Sequence, residues 1–87
     1  MAGYKLVIKP SAVKELDAVE PKKLRQRLVG SIEGLAGDPR PAGCEKLAGS
    51  PNLYRIRQGD YRAVYAVDDR DAVVKVLKVG HRREVYR

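Results

Sequence analysis

The chain has 87 residues, enough for one domain over residues 1–87. The sequence contains no Phe or Trp and only five Tyr, so a small and mainly aliphatic core is expected. Its 18 Lys and Arg outnumber its 11 Asp and Glu, and the net charge of +7 predicts binding to polyanions, nucleic acid first, although a solvated basic surface has the same composition. The lone Cys44 excludes an internal disulfide, and the lack of a long apolar run or signal peptide predicts a cytoplasmic protein with no membrane partner.

The first residues of the chain predict a strand followed by a short helix. Residues 4–8 are mostly apolar and precede a proline two positions later, and prolines end strands. Ser11 is placed to cap a helix over residues 12–18, in which Val13 and Leu16 are expected to face inward. The fold is therefore expected to begin with one strand and one helix.

A longer helix is expected next. Pro21 suits the first turn of a helix, and Gly34 marks its end. Apolar residues recur between them at spacings of three and four, which predicts a buried face that shields the sheet: Leu24, Leu28, Ile32 and Leu35. The other face carries basic residues and is expected to be solvated or to touch an anionic partner. Residues 37–51 are rich in Gly, Pro and Ala and predict a loop.

Residues 53–67 predict a β-hairpin that carries arginines on one face. Gly59 is the second residue of the expected two-residue turn, because it can adopt the positive φ that such turns need. The cross-strand pairs that this turn predicts are Arg57 with Asp60, Arg55 with Arg62, and Leu53 with Val64. Like charges placed directly opposite each other destabilise a sheet. An anion is therefore expected over Arg55 and Arg62, with Arg57 widening a phosphate-binding surface.

The end of the chain predicts one more strand and a basic tail. Residues 72–79 follow an acidic turn and are almost continuously apolar, which predicts an internal strand. Together with the preceding strands and helices, this order predicts the α+β class. If residues 80–87 form a helical turn, Arg82 and Tyr86 lie four apart on one face.

The remaining polar residues do not form a pattern typical of a metal or nucleotide site, so no metal and no cofactor are expected. Cations interleaved with tyrosines suit RNA. Cleavage of RNA by an internal 2′-hydroxyl needs a base, an acid and cations for the charge on phosphorus. The candidates are Arg55, Arg57, Arg62, His81, Arg82, Arg83 and Tyr86. Two of them also have ordinary alternatives, since Tyr86 can pack its ring on the core and His81 can be a solvated or capping residue.

Three segments resemble the signature segments of the RelE toxins, which belong to the RelE/ParE superfamily of type II toxin–antitoxin systems. They are Leu53-Tyr-Arg-Ile-Arg57, Gly59-Asp-Tyr-Arg-Ala-Val-Tyr65 and Val79-Gly-His-Arg-Arg-Glu-Val-Tyr86. The resemblance implies a compact RelE-like fold in which an N-terminal strand and two helices pack on a mainly antiparallel twisted β-sheet. It also implies a metal-independent endoribonuclease, an mRNA interferase that cleaves mRNA in the A site of the 70S ribosome and inhibits translation.

The resemblance implies catalytic roles for three residues. Arg62 takes the place of the arginine that stabilises the transition-state phosphate. Arg82 takes the place of a proposed general acid, and Tyr86 that of a proposed general base. His81 stays open as an alternative proton carrier, because histidine ordinarily titrates near neutrality.

The remaining basic residues are expected to bind RNA and stabilise charge. Arg55 and Arg57 take the places of two strand residues that are often Lys in the family. Arg holds its proton far more tightly than Lys, so their expected role is electrostatic. His81 and Arg83 in the tail are assigned to the same RNA-binding set.

Two other functions stay open from the sequence. One is a ParE-like inhibitor of DNA gyrase without nuclease activity, and the other is a degenerate member that acts only within an antitoxin-bound repressor. The presence of Arg62, Arg82 and Tyr86 together favours the nuclease, since an inhibitor that works by protein contact has no need of that set.

The expected partners follow from charge and from the resemblance. A net charge of +7, with no internal counter-charge expected for the arginines, favours an acidic, partly disordered antitoxin that wraps the basic face and the tail. The ribosome and mRNA are the expected targets, and DNA is expected to be contacted only through the antitoxin complex.

Overall fold

The computed structural model describes residues 3–81 of the chain. The helices are α1, Pro10–Asp17, and α2, Lys22–Gly34; the strands are β1, Lys5–Ile8, β2, Glu45–Lys46, β3, Leu53–Gln58, β4, Tyr61–Asp68, and β5, Val73–His81. The five strands form one sheet in the order β1-β5-β4-β3-β2. β1 pairs with β5 in parallel and the other pairings are antiparallel. The predicted α+β class with a mainly antiparallel sheet is confirmed.

The two helices cover one face of the sheet. On β3 and β4 the residues that face the helices are buried in opposite pairs, Tyr54 with Tyr65 and Ile56 with Ala63. The helical side of the core includes Leu16, Leu28, Ile32 and Leu35, as predicted. Burial of each such side chain stabilises the fold by roughly 1.5–3 kcal/mol. Over residues 3–81, no helix is both long enough and apolar enough to cross a membrane.

The opposite face of the sheet, here called the open face, carries no helix in the described part of the chain. It presents the residues that alternate with the buried ones. On β3 and β4 these residues include Arg55, Arg57, Arg62 and Val64. The alternation of side chains along a strand therefore separates an aliphatic core from a basic surface only one residue away in sequence.

A β-bulge in β5 adjusts which of its residues face the core. Val64 pairs with Lys78 but its neighbour Tyr65 pairs with Val76, so Leu77 is an extra residue in β5. Because of this insertion Val76 and Val79, three apart, are both buried. The bulge also sets Gly80 opposite Arg62.

Helix α1 protects the exposed edge of β5 beyond the end of β1. The pairing of β1 with β5 ends at Ile8 and Val76. Glu15 on α1 accepts a hydrogen bond of 2.9 Å from the backbone N–H of Val79, and its other oxygen lies 3.2 Å from Nζ of Lys78. A carboxylate thus satisfies a strand donor that has no strand partner there, which is one way in which proteins protect sheet edges.

Several local predictions were wrong. Helix α1 begins at Pro10, before Ser11, with Lys9 as its N-cap and no side-chain capping bond. Proline lacks an N–H and has a helical φ, so it starts the helix without a capping side chain. Val13 is 40% exposed, and Ala12 takes the inward position beside Leu16. Strand β2 lies inside the predicted loop.

A set of hydrogen bonds ties the loop before β2 to the sheet. Tyr65 donates to the carbonyl of Pro39 at 2.7 Å, and burial raises the pKa of the Tyr65 phenol, so this donor keeps its proton. Arg40 donates to the hydroxyl of Tyr54 at 2.9 Å and forms an ion pair of 2.6 Å with Asp69. The hydrogen bonds from Arg40 and the Tyr4 hydroxyl lower the pKa of the Asp69 carboxyl. The loop is thereby held against the end of the core.

We predict that Tyr65→Phe lowers the free energy of unfolding by about 1–3 kcal/mol, because the buried Pro39 carbonyl loses its donor. The melting temperature should fall by several degrees in calorimetry. Tyr54→Phe is the matched control, because the Tyr54 ring stacks on the Tyr65 ring with centroids 5.8 Å apart. The Tyr54 hydroxyl accepts a hydrogen bond from Arg40, and Arg40 keeps its ion pair with Asp69 when that hydroxyl is removed. Equal losses in the two variants would contradict the assignment of the loop anchor to Tyr65.

Candidate functional site

The turn of the arginine hairpin lies one residue later than predicted. Gln58 pairs with Tyr61, so the loop residues are Gly59 and Asp60. Gly59 has a φ of 60°, as the first loop residue of a type II′ turn requires. A Cβ at Gly59 would also lie only 3.1 Å from Cδ1 of Leu24 on α2. The positive φ favours glycine at this place, and an added Cβ would also require the Leu24 side chain to shift slightly.

This turn changes every cross-strand pair of the hairpin. The observed pairs are Arg57 with Arg62, Arg55 with Val64, and Leu53 with Ala66. The predicted pairs Arg57 with Asp60, Arg55 with Arg62, and Leu53 with Val64 were therefore wrong. Two arginines still face each other, but the partner of Arg62 is Arg57.

Arg57 and Arg62 form a pair whose side chains lie close together. The backbone N–H of Val67 donates to the carbonyl of Asn52, which identifies the hydrogen-bonded pairs of the β3–β4 ladder, since these alternate along an antiparallel pair. Arg57 and Arg62 fall between them, in a non-hydrogen-bonded pair. Such pairs have Cα atoms about 4.5 Å apart and the closest side chains. Two cations at this separation favour an anion above them.

Arg62 occupies a recessed position in the open face. The residue is only 7% exposed, and its Nε and Nη1 atoms are buried from solvent. Its partner on β5 is Gly80, which has no side chain and is itself buried. Arg57 at the next strand is exposed. The pair therefore combines one buried cation with one that reaches solvent, an arrangement suited to binding a phosphate group.

Arg55 differs from the other two because it has a counter-charge within the chain. Glu45 on β2 pairs with Arg55, and its Oε1 lies 2.6 Å from Nη2 and 3.0 Å from Nε. The hydrogen bonds from Arg55 lower the pKa of the Glu45 carboxyl, and the charges of Arg57 and Arg62 contribute in the same direction. The expectation of an arginine cluster with no internal counter-charge was therefore wrong for Arg55.

The sequence contained only a weak indication that Glu45 pairs with an arginine. It is the single acidic residue between Asp38 and Asp60, inside a segment whose composition is otherwise typical of a loop. Its pairing with a residue ten positions later depends on β2, which the sequence does not predict because two residues show no periodicity.

His81 lies on the opposite side of the sheet from the arginine pair. It is the last residue of β5, two residues beyond the predicted end of that strand, and it pairs with Tyr61. The two rings meet edge to face at 5.7 Å. Tyr61 packs against the core, whereas Arg57 and Arg62 are on the open face. The predicted residues Arg82, Arg83 and Tyr86 lie outside the described residues.

The described residues also bear on metal binding. No group of three His, Cys, Asp or Glu side chains within residues 3–81 comes together in a way that could hold a metal ion. Cys44 is a partly buried free thiol. The chemically distinctive feature of this part of the chain is thus the set of three arginines on the open face.

The sequence and the fold both match known toxins. Residues 6–86 match a family model described as the ParE toxin of type II toxin–antitoxin system, parDE. The chain is 31% identical to Toxin RelE of Mycobacterium tuberculosis over 85 residues, which cover 97% of this chain and 87% of that protein. The family model and this relative both extend across the helices, the hairpin and the tail.

Two solved structures share the architecture. The archaeal RelE–RelB complex from Pyrococcus horikoshii contains a chain with a TM-score of 0.80 and 35% identity, covering 92% of this chain and 96% of that one. A mutant of E. coli toxin RelE in the free state has a TM-score of 0.79 and 30% identity, covering 97% of this chain and 88% of that one. The chain therefore belongs to the RelE family, as a toxin of a type II toxin–antitoxin system.

Proposed function

We propose that this toxin is a metal-independent endoribonuclease that cleaves mRNA in the ribosomal A site and thereby inhibits translation. The observation that supports this proposal most directly is the recessed Arg62 beside the exposed Arg57 on the open face. A buried cation next to an exposed one suits a phosphate whose charge increases during the reaction. Membership of the RelE family supports the same reaction class.

The reaction begins with attack by the 2′-oxygen of a ribose on the adjacent phosphorus. A general base removes the 2′-proton, the bond from phosphorus to the 5′-oxygen breaks, and a general acid protonates that oxygen. The products are a 2′,3′-cyclic phosphate and a free 5′-hydroxyl. Arg62 and Arg57 stabilise the phosphorane charge electrostatically. For the two proton transfers we propose the residues that the resemblance to the RelE toxins implies, Tyr86 as base and Arg82 as acid.

Arg55 has a secondary part in this proposal. Its ion pair with Glu45 satisfies two of its donors, so it contributes less charge to a bound RNA than Arg57 does. We assign it to the edge of the RNA path, together with Arg83. Glu45 then limits the attraction of the surface for any polyanion.

We further propose that an acidic antitoxin binds this toxin and covers the open face. The support is the excess of positive charge there and the fact that the similar Pyrococcus horikoshii toxin was crystallised as a RelE–RelB complex. An anionic chain that folds on binding neutralises such a surface. The ribosome with its mRNA is the proposed target of the free toxin, and DNA is proposed to be reached only through the antitoxin.

A second candidate function is inhibition of DNA gyrase. The description of the matching family model as a ParE toxin favours it. The two functions differ in their products. Primer extension on cellular mRNA after toxin induction gives codon-phased 5′ ends for the nuclease and none for a gyrase inhibitor or a repressor component.

We predict that Arg62→Ala slows single-turnover cleavage on programmed ribosomes by roughly 30- to 1,000-fold, the usual loss for one preorganised donor. Ribosome binding should weaken much less, because other cations remain. Lys75→Ala is the control, since Lys75 is an exposed cation of β5 paired with Ala66. Arg62→Lys, which retains the charge, should fall between parent and Ala. A folded Arg62→Ala variant that cleaves at the parent's rate would show that the arginine pair is not the active site.

We predict that Glu45→Gln raises affinity for a 2′-O-methyl RNA oligonucleotide by roughly 1.5- to 5-fold, because Arg55 is released from its exposed ion pair. The lowered pKa keeps Glu45 ionised at neutral pH, so the difference should be present there and disappear as pH falls through that pKa. Asp60→Asn makes the same charge change at the hairpin turn. Affinity is measured by fluorescence anisotropy. Equal gains in affinity for the two variants would show that the effect comes from net charge and not from the release of Arg55.

We predict that Tyr86→Phe slows cleavage by roughly 10²–10⁴-fold while folding and ribosome binding stay almost unchanged. A general base also requires the parent's rate to rise with pH until the phenol ionises, and the variant should lose this rise. Single-turnover cleavage across a pH series measures both. His81→Ala is compared in parallel. If Tyr86→Phe has no effect on the rate and His81→Ala removes its pH dependence, His81 is the proton carrier.

We predict that affinity for the cognate antitoxin falls as salt concentration rises, because exposed charges are screened over about 10 Å at 0.1 M salt. Titration calorimetry at low and high ionic strength measures the change. Unchanged affinity would mean that apolar contacts dominate the complex.

A further inference from the structure

A pocket of 390 Å³ lies at the β3 edge of the sheet, on the side that the helices cover, between the end of α2, the loop before β2 and the end of β3. Its lining includes Ser31, Gly34, Pro41, Gly43, Ile56 and Gln58, and Arg57 is also one of the lining residues. This volume is within the range of small-ligand sites, about 300–1,000 Å³. The walls combine apolar surface with a few polar groups, as such sites do.

The pocket exists because β2 is short. β2 pairs with Tyr54 and Arg55 only, and the chain turns away at Gly43, whose φ is 90°. The hydrogen bond from Leu47 N to the Leu53 carbonyl shows that alternate residues of β3 direct their backbone groups toward this side. Arg57 is one of them, and no described strand pairs with it there. Arg57 thus lines the pocket at a place where the backbone edge of β3 has no described strand partner.

Two polar side chains are available inside the pocket. Oγ of Ser31 donates to Oε1 of Gln58 at 3.2 Å, which links α2 to β3. This bond leaves the amide nitrogen of Gln58 as a donor and the hydroxyl oxygen of Ser31 as an acceptor. Ile56 and Pro41 supply apolar contact. A planar group with donors and acceptors on its edge matches these walls.

We propose that the pocket binds a nucleobase of the RNA, from a nucleotide next to the one whose phosphate lies over Arg57 and Arg62. The inference rests on the proposed function and deepens it by assigning a base-binding subsite to Ser31 and Gln58. Arg57 joins the two parts, since it lines the pocket and faces Arg62. Single-stranded RNA is commonly recognised in this way, with bases turned out of the stack and hydrogen-bonded on their edges.

The structure suggests a variant that should narrow the pocket with little effect on the fold. Gly34 is the last residue of α2, lines the pocket, and has no atom within 4 Å of an added Cβ. Leucine there adds a side chain at the pocket wall, and a helix tolerates leucine better than glycine. Gly30 lies one helical turn earlier on the same helix, also has open space, and is absent from the pocket lining. Gly30→Leu is therefore the matched control for Gly34→Leu.

The test measures the binding of an uncleavable 2′-O-methyl RNA trinucleotide to the free toxin by NMR titration at constant salt. Gly34→Leu should weaken binding at least tenfold, and Gly30→Leu should leave it unchanged. A series of trinucleotides with one base removed at each position completes the experiment. Removal of one particular base should weaken binding to the parent at least tenfold. The same removal should not weaken binding to Gly34→Leu any further.

Two results would overturn the proposal. One is equal trinucleotide affinity in Gly34→Leu and parent. The other is weaker antitoxin binding by Gly34→Leu with unchanged trinucleotide binding, which would make the pocket a site for an antitoxin side chain. Cleavage by the parent on programmed ribosomes is measured separately. A parent that does not cleave refutes the proposed nuclease, whereas the trinucleotide titration still decides whether the pocket binds a base.

Discussion

The contact between the hairpin turn and α2 determines the arrangement of the whole basic surface. Gly59 lies against Leu24, so that an added Cβ would come within 3.1 Å of Cδ1, and its positive φ favours a turn whose loop residues are Gly59 and Asp60. A turn one residue earlier would move each residue of β4 to a different partner on β3. The observed turn sets Arg62 beside Arg57, and the other features of the open face follow from that pairing.

The electrostatics of the open face depend on how deeply each arginine sits. Arg62 is only 7% exposed, so its charge costs desolvation free energy. Arg57 is exposed and retains its hydration until a ligand arrives. Arg55 is already neutralised by Glu45. Three arginines that look equivalent in the sequence of the hairpin thus have different environments, set by burial and by one carboxylate.

The loop before β2 connects the stability of the fold to the proposed subsite. Tyr65 and Arg40 anchor this loop at Pro39, Tyr54 and Asp69. Two residues later the same loop forms a wall of the pocket at Pro41 and Gly43. The anchor therefore keeps the wall at a constant distance from Arg57. Rigid support of this kind is what a binding site needs to hold its geometry.

Local pattern was enough to predict most elements of this protein, because periodicity and turn residues act over short distances. The buried face of α2, the hairpin strands, the internal position of β5 and the basic character of the surface all follow from such patterns. The partner of Arg62, the ion pair of Glu45 and the pocket were decided only by the tertiary structure. Each depends on residues from separate elements meeting in space: Leu24 with Gly59, β2 with β3, and α2 with the loop. Such contacts carry no periodic signal in the chain.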